Sequence, residues 1–192
     1  MYLPHFTSIV TILCWIAWVG YWMISWREEK TITEPQPANE RVPYTLLLML
    51  GFVGALAPLG DVKILGYTLV PYSNLAVSIG ASLCVFGVVL TIWSRRVLAT
   101  NWSADVAFKQ DQELVTSGPY ELVRHPIYSG LMLMFIGTGL VQGSLAAIAA
   151  IFFALASFVI KLRQEERLML VHFGPLYVEY QQRTHRLIPW VY

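Results

Sequence analysis

Ile127-Tyr-Ser-Gly-Leu-Met-Leu-Met-Phe-Ile-Gly-Thr-Gly-Leu-Val-Gln-Gly-Ser-Leu-Ala-Ala-Ile-Ala-Ala-Ile-Phe-Phe-Ala-Leu-Ala-Ser-Phe-Val-Ile160 runs for 34 residues without a charged side chain. As one helix it would be about 51 Å long at 1.5 Å per residue. That is too long for a single crossing of a hydrocarbon layer roughly 30 Å thick. Gly137-Thr-Gly-Leu-Val-Gln-Gly-Ser144 lies in its middle and supplies turn-forming residues. The stretch therefore predicts two spans folded into a tight helical hairpin.

Three more charge-free runs lie upstream: Phe6 to Trp26, Tyr44 to Gly60 and Tyr72 to Ser94, the last stopped by Arg95 and Arg96. The first lacks a basic leader and a small-residue cleavage site, so it is expected to be a retained span. Five spans in all would put segments 27–43, 94–126 and 161–192 on one side, with 3, 4 and 5 basic residues against Lys63 alone on the other. Basic residues favour the cytoplasmic side of short loops, so the C-terminus is expected in the cytoplasm. Merging the hairpin into one span would divide the basic residues 7 against 6 and erase the bias.

Composition agrees. The 192 residues are 56% hydrophobic and 13% charged, with a mean hydropathy of +0.56, against roughly 25% charged in a soluble domain. A soluble enzyme is excluded. The net charge of +1 offers no basic face for nucleic acid. Cys14 and Cys84 lie inside apolar runs and are expected to be small core hydrophobes, with no disulfide framework. Neither they nor His5, His172 and His185 have a spacing that would hold a metal. Segment 27–43, with Glu28, Glu29, Pro35, Pro37 and Pro43, is expected to be a solvated linker without chemistry. Gly51/Ala55 and Gly80/Cys84 are spaced to let helices approach closely.

The expected fold is thus all-α: an integral membrane bundle of five transmembrane helices with a C-terminal cytoplasmic helical cap. Residues 1–100 form a three-span region, and residues 101–192 a loop, hairpin and cap integrated with it.

No cytoplasmic segment exceeds 33 residues, too short for a sheet of βαβ units, so a cofactor must be held by loops and helix ends. Two polar clusters flank the hairpin on one side. In the first, Leu114 to Tyr128, Pro126 suits the first position of a helix, which puts His125 at its cap with Arg124 beside it. That is an anion site at a positive helix end, a field that favours neutral imidazole. The alternative is a pair of interfacial anchors. In the second cluster, Lys161 to Gly174, helical spacing gathers Leu162, Glu166, Met169 and Phe173 on one face. A carboxylate in that apolar stripe needs a partner, with Arg124, Lys161, Arg163 or a cationic ligand as candidates. Glu165 and Arg167 fall toward the flank. The aromatic and basic residues after Gly174, ending in Leu187-Ile-Pro-Trp-Val-Tyr192, are expected to cap the bundle at the interface.

Together, Ser117-Gly-Pro-Tyr120, Arg124-His-Pro-x-Tyr128, Glu165-Glu166, Phe173-Gly174, Tyr177, Tyr180, Ile188-Pro189 and the earlier Asn101-Trp102-Ser103 resemble the isoprenylcysteine carboxyl methyltransferase family. The resemblance covers about half of the chain, from Asn101 onward. It implies an integral membrane methyltransferase using S-adenosylmethionine, in the cytoplasmic membrane if the source is prokaryotic. By motif position, Tyr120, His125, Pro126 and Tyr128 would line the cofactor site, with Arg124 beside them, and Glu165 and Glu166 would complete it. Arg163 would orient the acceptor. The chain departs from the family's pattern at Gln112, where histidine is frequent, and at Lys161, with Arg163 shifted two residues from the usual arginine.

A sulfonium donor is welcome near carboxylates and aromatic faces, and in-line methyl transfer asks chiefly for alignment and exclusion of water. The expected partner is a lipophilic acceptor arriving from the lipid: a carboxylate on an isoprenylcysteine-like tail, or else a lipid amine or a thiol. An NADPH-dependent membrane reductase and a non-catalytic scaffold are the competing readings.

Overall fold

Each apolar run becomes a helix in the computed structural model, which describes residues 3–25, 32–34, 36–57, 59 and 62–189. The order is α1 (Leu3–Ser25), β1 (Ile32–Glu34), α2 (Ala38–Leu56), α3 (Asn74–Leu98), β2 (Phe108–Lys109), α4 (Pro126–Gln142), α5 (Leu145–Phe173) and α6 (Pro175–Arg183). Short 3-10 turns occupy Ala99–Asn101 and Gly118–Glu121. The two strands pair antiparallel and are the only departure from an all-α chain among the described residues.

Among the described residues, three helical stretches are long and apolar enough to cross a membrane: Phe6–Ser25, Asn74–Asn101 and Leu145–Phe173. The protein is an integral membrane protein. Large apolar side chains such as Ile16, Met23, Phe86 and Phe152 stand 60%, 71%, 61% and 67% exposed, as suits lipid contact rather than water. Apolar α4 has 17 residues, about 26 Å at 1.5 Å per residue.

The seam between α3 and α4 is built on missing side chains. Gly80 lies against Gly137 and Gly87 against Gly130, an antiparallel register in which a methyl on Gly80 or Gly87 would meet its partner's carbonyl oxygen at 2.6 or 2.5 Å. Cys84, fully buried between them, sits 3.7 Å from Thr138 Oγ1, and Trp15 Nε1 donates to the same hydroxyl at 3.0 Å. Cys14 and Cys84 are buried free thiols in the core. On the other side, α2 meets α5 through Gly51 and Gly54 against Ala146, Ala150 and Ala154.

The turn between α4 and α5 is shorter than the sequence suggests. Gly137 and Gly139 are helical, and only Gly143, at φ 65°, and Ser144 connect the two helices. Gly137 serves the seam instead. The Gly143 carbonyl accepts from Leu69 and Val70 N–H at 2.8 and 3.1 Å, and Ser144 Oγ accepts from Ala147 N–H at 3.2 Å, capping α5.

A further expectation changes. The segment expected to be a linker is structured where it is described. α2 begins at Ala38 with Pro43 inside it, and Gln36 Oε1 accepts from Tyr44 OH at 2.6 Å and Val106 N–H at 3.3 Å. Residues 27–31 and Pro35, with Glu28 and Glu29, lie outside the described residues, as do Pro58 and the terminal Trp190-Val-Tyr192. Arg95, which ends the third apolar run, is 1% exposed and packed inside the protein. It donates to Ser25 O at 2.8 Å and Ala99 O at 2.6 Å, with its guanidinium 4.6 Å from the Trp102 ring centre. This ties the end of α1 to the wall of the site.

Candidate active site

α4 starts where the sequence expects, with Pro126 in its first turn and His125 at the N-cap. The strand-like segment before it is held by the chain's end: Arg124 N–H donates to His185 O at 2.7 Å, His125 N–H to Arg186 O at 3.0 Å, and His185 N–H to Leu122 O at 3.1 Å. Ser129 Oγ adds a bond to Leu187 O at 2.5 Å. This pairing fixes the first polar cluster against α5, whose extension carries the second.

Between the clusters opens a cavity of about 150 Å³. It is lined by Tyr120, Arg124, His125, Tyr128 and Glu165, together with Trp102, Gln112, Met169, Tyr177 and Tyr180. Glu165 stands at its polar centre. It accepts from Tyr128 OH at 2.5 Å and pairs with His125 Nδ1 at 3.3 Å. The His125 ring stacks on Tyr128 at 5.7 Å, and Tyr128 on Phe158 at 4.9 Å, so both partners of Glu165 are oriented by packing. Lys161, one turn before Glu165 on the same helix face, donates to Ala104 O at 2.6 Å. Its ammonium lies 5.4 and 5.8 Å from the Tyr44 and Tyr128 ring centres.

Glu166 has a different environment. Its carboxylate, 5% exposed, is gripped by Arg124 Nε at 2.8 Å and Arg186 Nε at 3.0 Å. Arg124 also donates to Thr184 O at 2.6 Å and Gln181 O at 3.3 Å. The Arg124 guanidinium is therefore engaged by Glu166 and two carbonyls rather than standing free beside the α4 cap. The helical wheel's assignment of Glu165 to the flank is also corrected. The adjacent glutamates project about 100° apart at 3.6 residues per turn, one into the cavity and the other into the clamp.

The imidazole expectation reverses in direction. Burial favours a neutral ring, but the hydrogen bond that His125 donates to Glu165 and the negative charges of Glu165 and Glu166 outweigh it, holding His125 above the usual histidine value. The two carboxylates flank the ring. Nε2 lies 3.5 Å from Glu166 Oε1, without hydrogen-bond geometry, and is a buried nitrogen in the cavity wall with no bonded partner. Burial likewise pushes the Tyr120, Tyr177 and Tyr180 phenols up, so they remain neutral donors.

Of the residues singled out in sequence, the fold brings Tyr120, Arg124, His125, Tyr128 and Glu165 to one cavity. Pro126 is buried at the start of α4 without lining it. Glu166 lies behind it. Arg163 is exposed and belongs to a separate groove with Arg167 and Arg186, so its expected place beside an acceptor in the cavity is corrected: its position on α5 points it to another face. Sequence reasoning gave no site role to Tyr177, Tyr180 or Arg186. The regular aromatic spacing of α6 was the available signal for the first two, while Arg186 depends on how the chain's end folds back.

A profile of the phospholipid methyltransferase family matches residues 75–175, more than half of the chain, from α3 through α5. The chain belongs to the phospholipid methyltransferase family. Within it, protein-S-isoprenylcysteine O-methyltransferase B of Arabidopsis thaliana is 34% identical over 84 residues, 43% of this chain and 43% of that protein. The cobalt-zinc-cadmium resistance protein CzcN of Cupriavidus metallidurans is 38% identical over 86 residues, 44% of this chain and 39% of the relative. A solved structure of the eukaryotic intramembrane Ras methyltransferase ICMT (isoprenylcysteine carboxyl methyltransferase) shares the fold with a TM-score of 0.54 at 24% identity, covering 77% of this chain and 52% of that one. The chain spans about two fifths of the length of these curated relatives. The resemblance to the isoprenylcysteine carboxyl methyltransferases is thereby borne out.

Proposed function

We propose that this protein is an S-adenosylmethionine-dependent membrane methyltransferase that O-methylates the carboxylate of a lipophilic, isoprenylcysteine-like acceptor. The observation carrying the reading is Glu165 inside a tyrosine-lined cavity, fixed between His125 and Tyr128 with Lys161 one turn away. Five membrane crossings, with α4 and α5 as a tight hairpin and the C-terminus in the cytoplasm, complete the reading. In a prokaryote the membrane would be the cytoplasmic one. Residues 1–100 then serve as the membrane framework and residues 101–192 as the methyltransferase region.

The lining fits such a donor. A cationic sulfonium gains from a carboxylate and from ring faces in a space closed to water, which Glu165, Tyr120, Tyr128 and Tyr177 supply. The buried His125 Nε2 offers a polar contact to the donor's amino-acid end. When bound, S-adenosylmethionine supplies an activated methyl group for in-line displacement. The chain's own part is alignment. Tyr128 and His125 hold the Glu165 oxygens, the Arg124–Glu166–Arg186 clamp holds His125 and the cap in register, and Pro126 sets the start of α4.

An acceptor carboxylate is nucleophilic at neutral pH and needs chiefly alignment with the donor methyl; Lys161, one turn before Glu165, donates to Ala104 O and is not among the residues lining the cavity.

S-adenosylhomocysteine binding to the purified protein tests the reading against a reductase. Binding is expected, with NADPH not competing. Glu165→Gln is expected to weaken it about 10- to 100-fold, the loss of a charge-assisted contact, while the protein stays folded. Tight NADPH binding, or S-adenosylhomocysteine binding indifferent to Glu165, would refute the assignment. Transfer of labelled methyl into isoprenylcysteine analogues, set against thiol and amine analogues, then identifies the acceptor class.

A further inference from the structure

The cytosolic extension of α5 has two functional faces. Glu165, Leu168 and Met169 line the cavity. Arg163, Glu166, Arg167 and Leu170, at helical spacing i, i+3, i+4 and i+7, line a second groove closed by Gln181 and Arg186. Glu166 is already neutralised there by Arg124 and Arg186. Arg163 and Arg167 are both exposed, and among the described residues neither has an ion-pair partner. The groove therefore carries surplus positive charge on planar guanidinium groups, the side chains best matched to phosphate oxygens.

Depth identifies the source of the phosphate. The apolar run ends at Ile160, so the Cα atoms of Arg163 and Arg167 lie about 4.5 and 10.5 Å further along the helix. The polar layer on each side of a bilayer is about 5–7 Å thick, and arginine side chains reach several ångströms along the helix. Leu170, 37% exposed, lines the same groove and adds an apolar contact. We propose that this groove, separate from the cavity, binds the headgroup phosphate of an anionic phospholipid.

Retention of phosphatidylglycerol against phosphatidylcholine by the detergent-purified full chain, read by native mass spectrometry, tests the proposal. Wild type is expected to retain phosphatidylglycerol preferentially. Arg163→Gln with Arg167→Gln should lower that retention about 30-fold, roughly five-fold per basic residue at a membrane surface. The corresponding double lysine variant, which keeps the charge, should recover most of it. Millimolar inorganic phosphate should not displace the lipid. Unchanged retention in the glutamine variant would overturn the site. An equal loss in Arg96→Gln would reduce it to general surface charge. Displacement by inorganic phosphate would make it a free-anion site instead.

Discussion

At Gly80 and Gly87 the α3–α4 seam brings the two backbones within reach of each other's carbonyl oxygens, with Cys84 packed between the two glycine pairs. At the mouth of the cavity, α5 meets the loop before α4 through Glu166, held by Arg124 at 2.8 Å and Arg186 at 3.0 Å. The first contact fixes α4 against α3, and the second fixes the loop that leads into α4 against α5. In lipid there is no hydrophobic drive between apolar helices, so close van der Waals approach supplies the specificity. At the mouth, where water and ligands enter, directional charge supplies it. The seam should therefore respond to volume and ignore pH, and the mouth should do the reverse.

The largest expected effect lies in the mouth. Glu166→Gln leaves the Arg124 guanidinium, 8% exposed, without its carboxylate and should cost about 3–5 kcal/mol of stability, measurable by thermal unfolding in detergent. Comparable stability in this variant would mean that the clamp does not hold the cap.

Next is the seam. Gly87→Ala sets a methyl 2.5 Å from the Gly130 carbonyl oxygen, and the shift it forces should cost about 1–3 kcal/mol. A compensating rotation of α4 that left stability intact would show the seam to be slack.

The pH response sharpens the contrast. His125 titrates above its ordinary value in the folded protein, so its stabilisation is complete below about pH 6.5. It is then lost as pH rises through the folded value, by at most about 1.4 kcal/mol per pH unit for one proton. Unfolding followed from acidic to alkaline pH should show that slope in wild type and Gly87→Ala, and not in His125→Gln.

Smallest of all, Arg163→Gln should change stability by no more than about 0.5 kcal/mol and leave S-adenosylhomocysteine affinity unchanged. A large loss of affinity would return Arg163 to the cavity.

Much of the bundle was legible in the sequence because apolar runs and breaks in charge are local properties. The helix start at Pro126 with His125 at its cap and several of the close-packing glycines were visible there, while Tyr120 and Tyr128 were placed at the site by the family resemblance alone. The linker was misjudged because Gln36 finds partners in Val106 and Gln164, 70 and 128 residues away in the chain. The turn was placed too wide because Gly137 and Gly143 look alike in sequence, and only the neighbouring α3 backbone tells a packing glycine from a turning one.

By itself the sequence determined that this chain lives in a membrane, which stretches become helices and which polar clusters lie together at one end, since hydropathy and helical period act over a few residues. Tertiary structure alone decided that Glu165 faces the cavity while Glu166 serves a clamp, that His125 favours its proton and that Arg163 turns elsewhere. Those outcomes depend on fields and contacts summed over α4, α5 and the returning C-terminal segment, which no local pattern encodes.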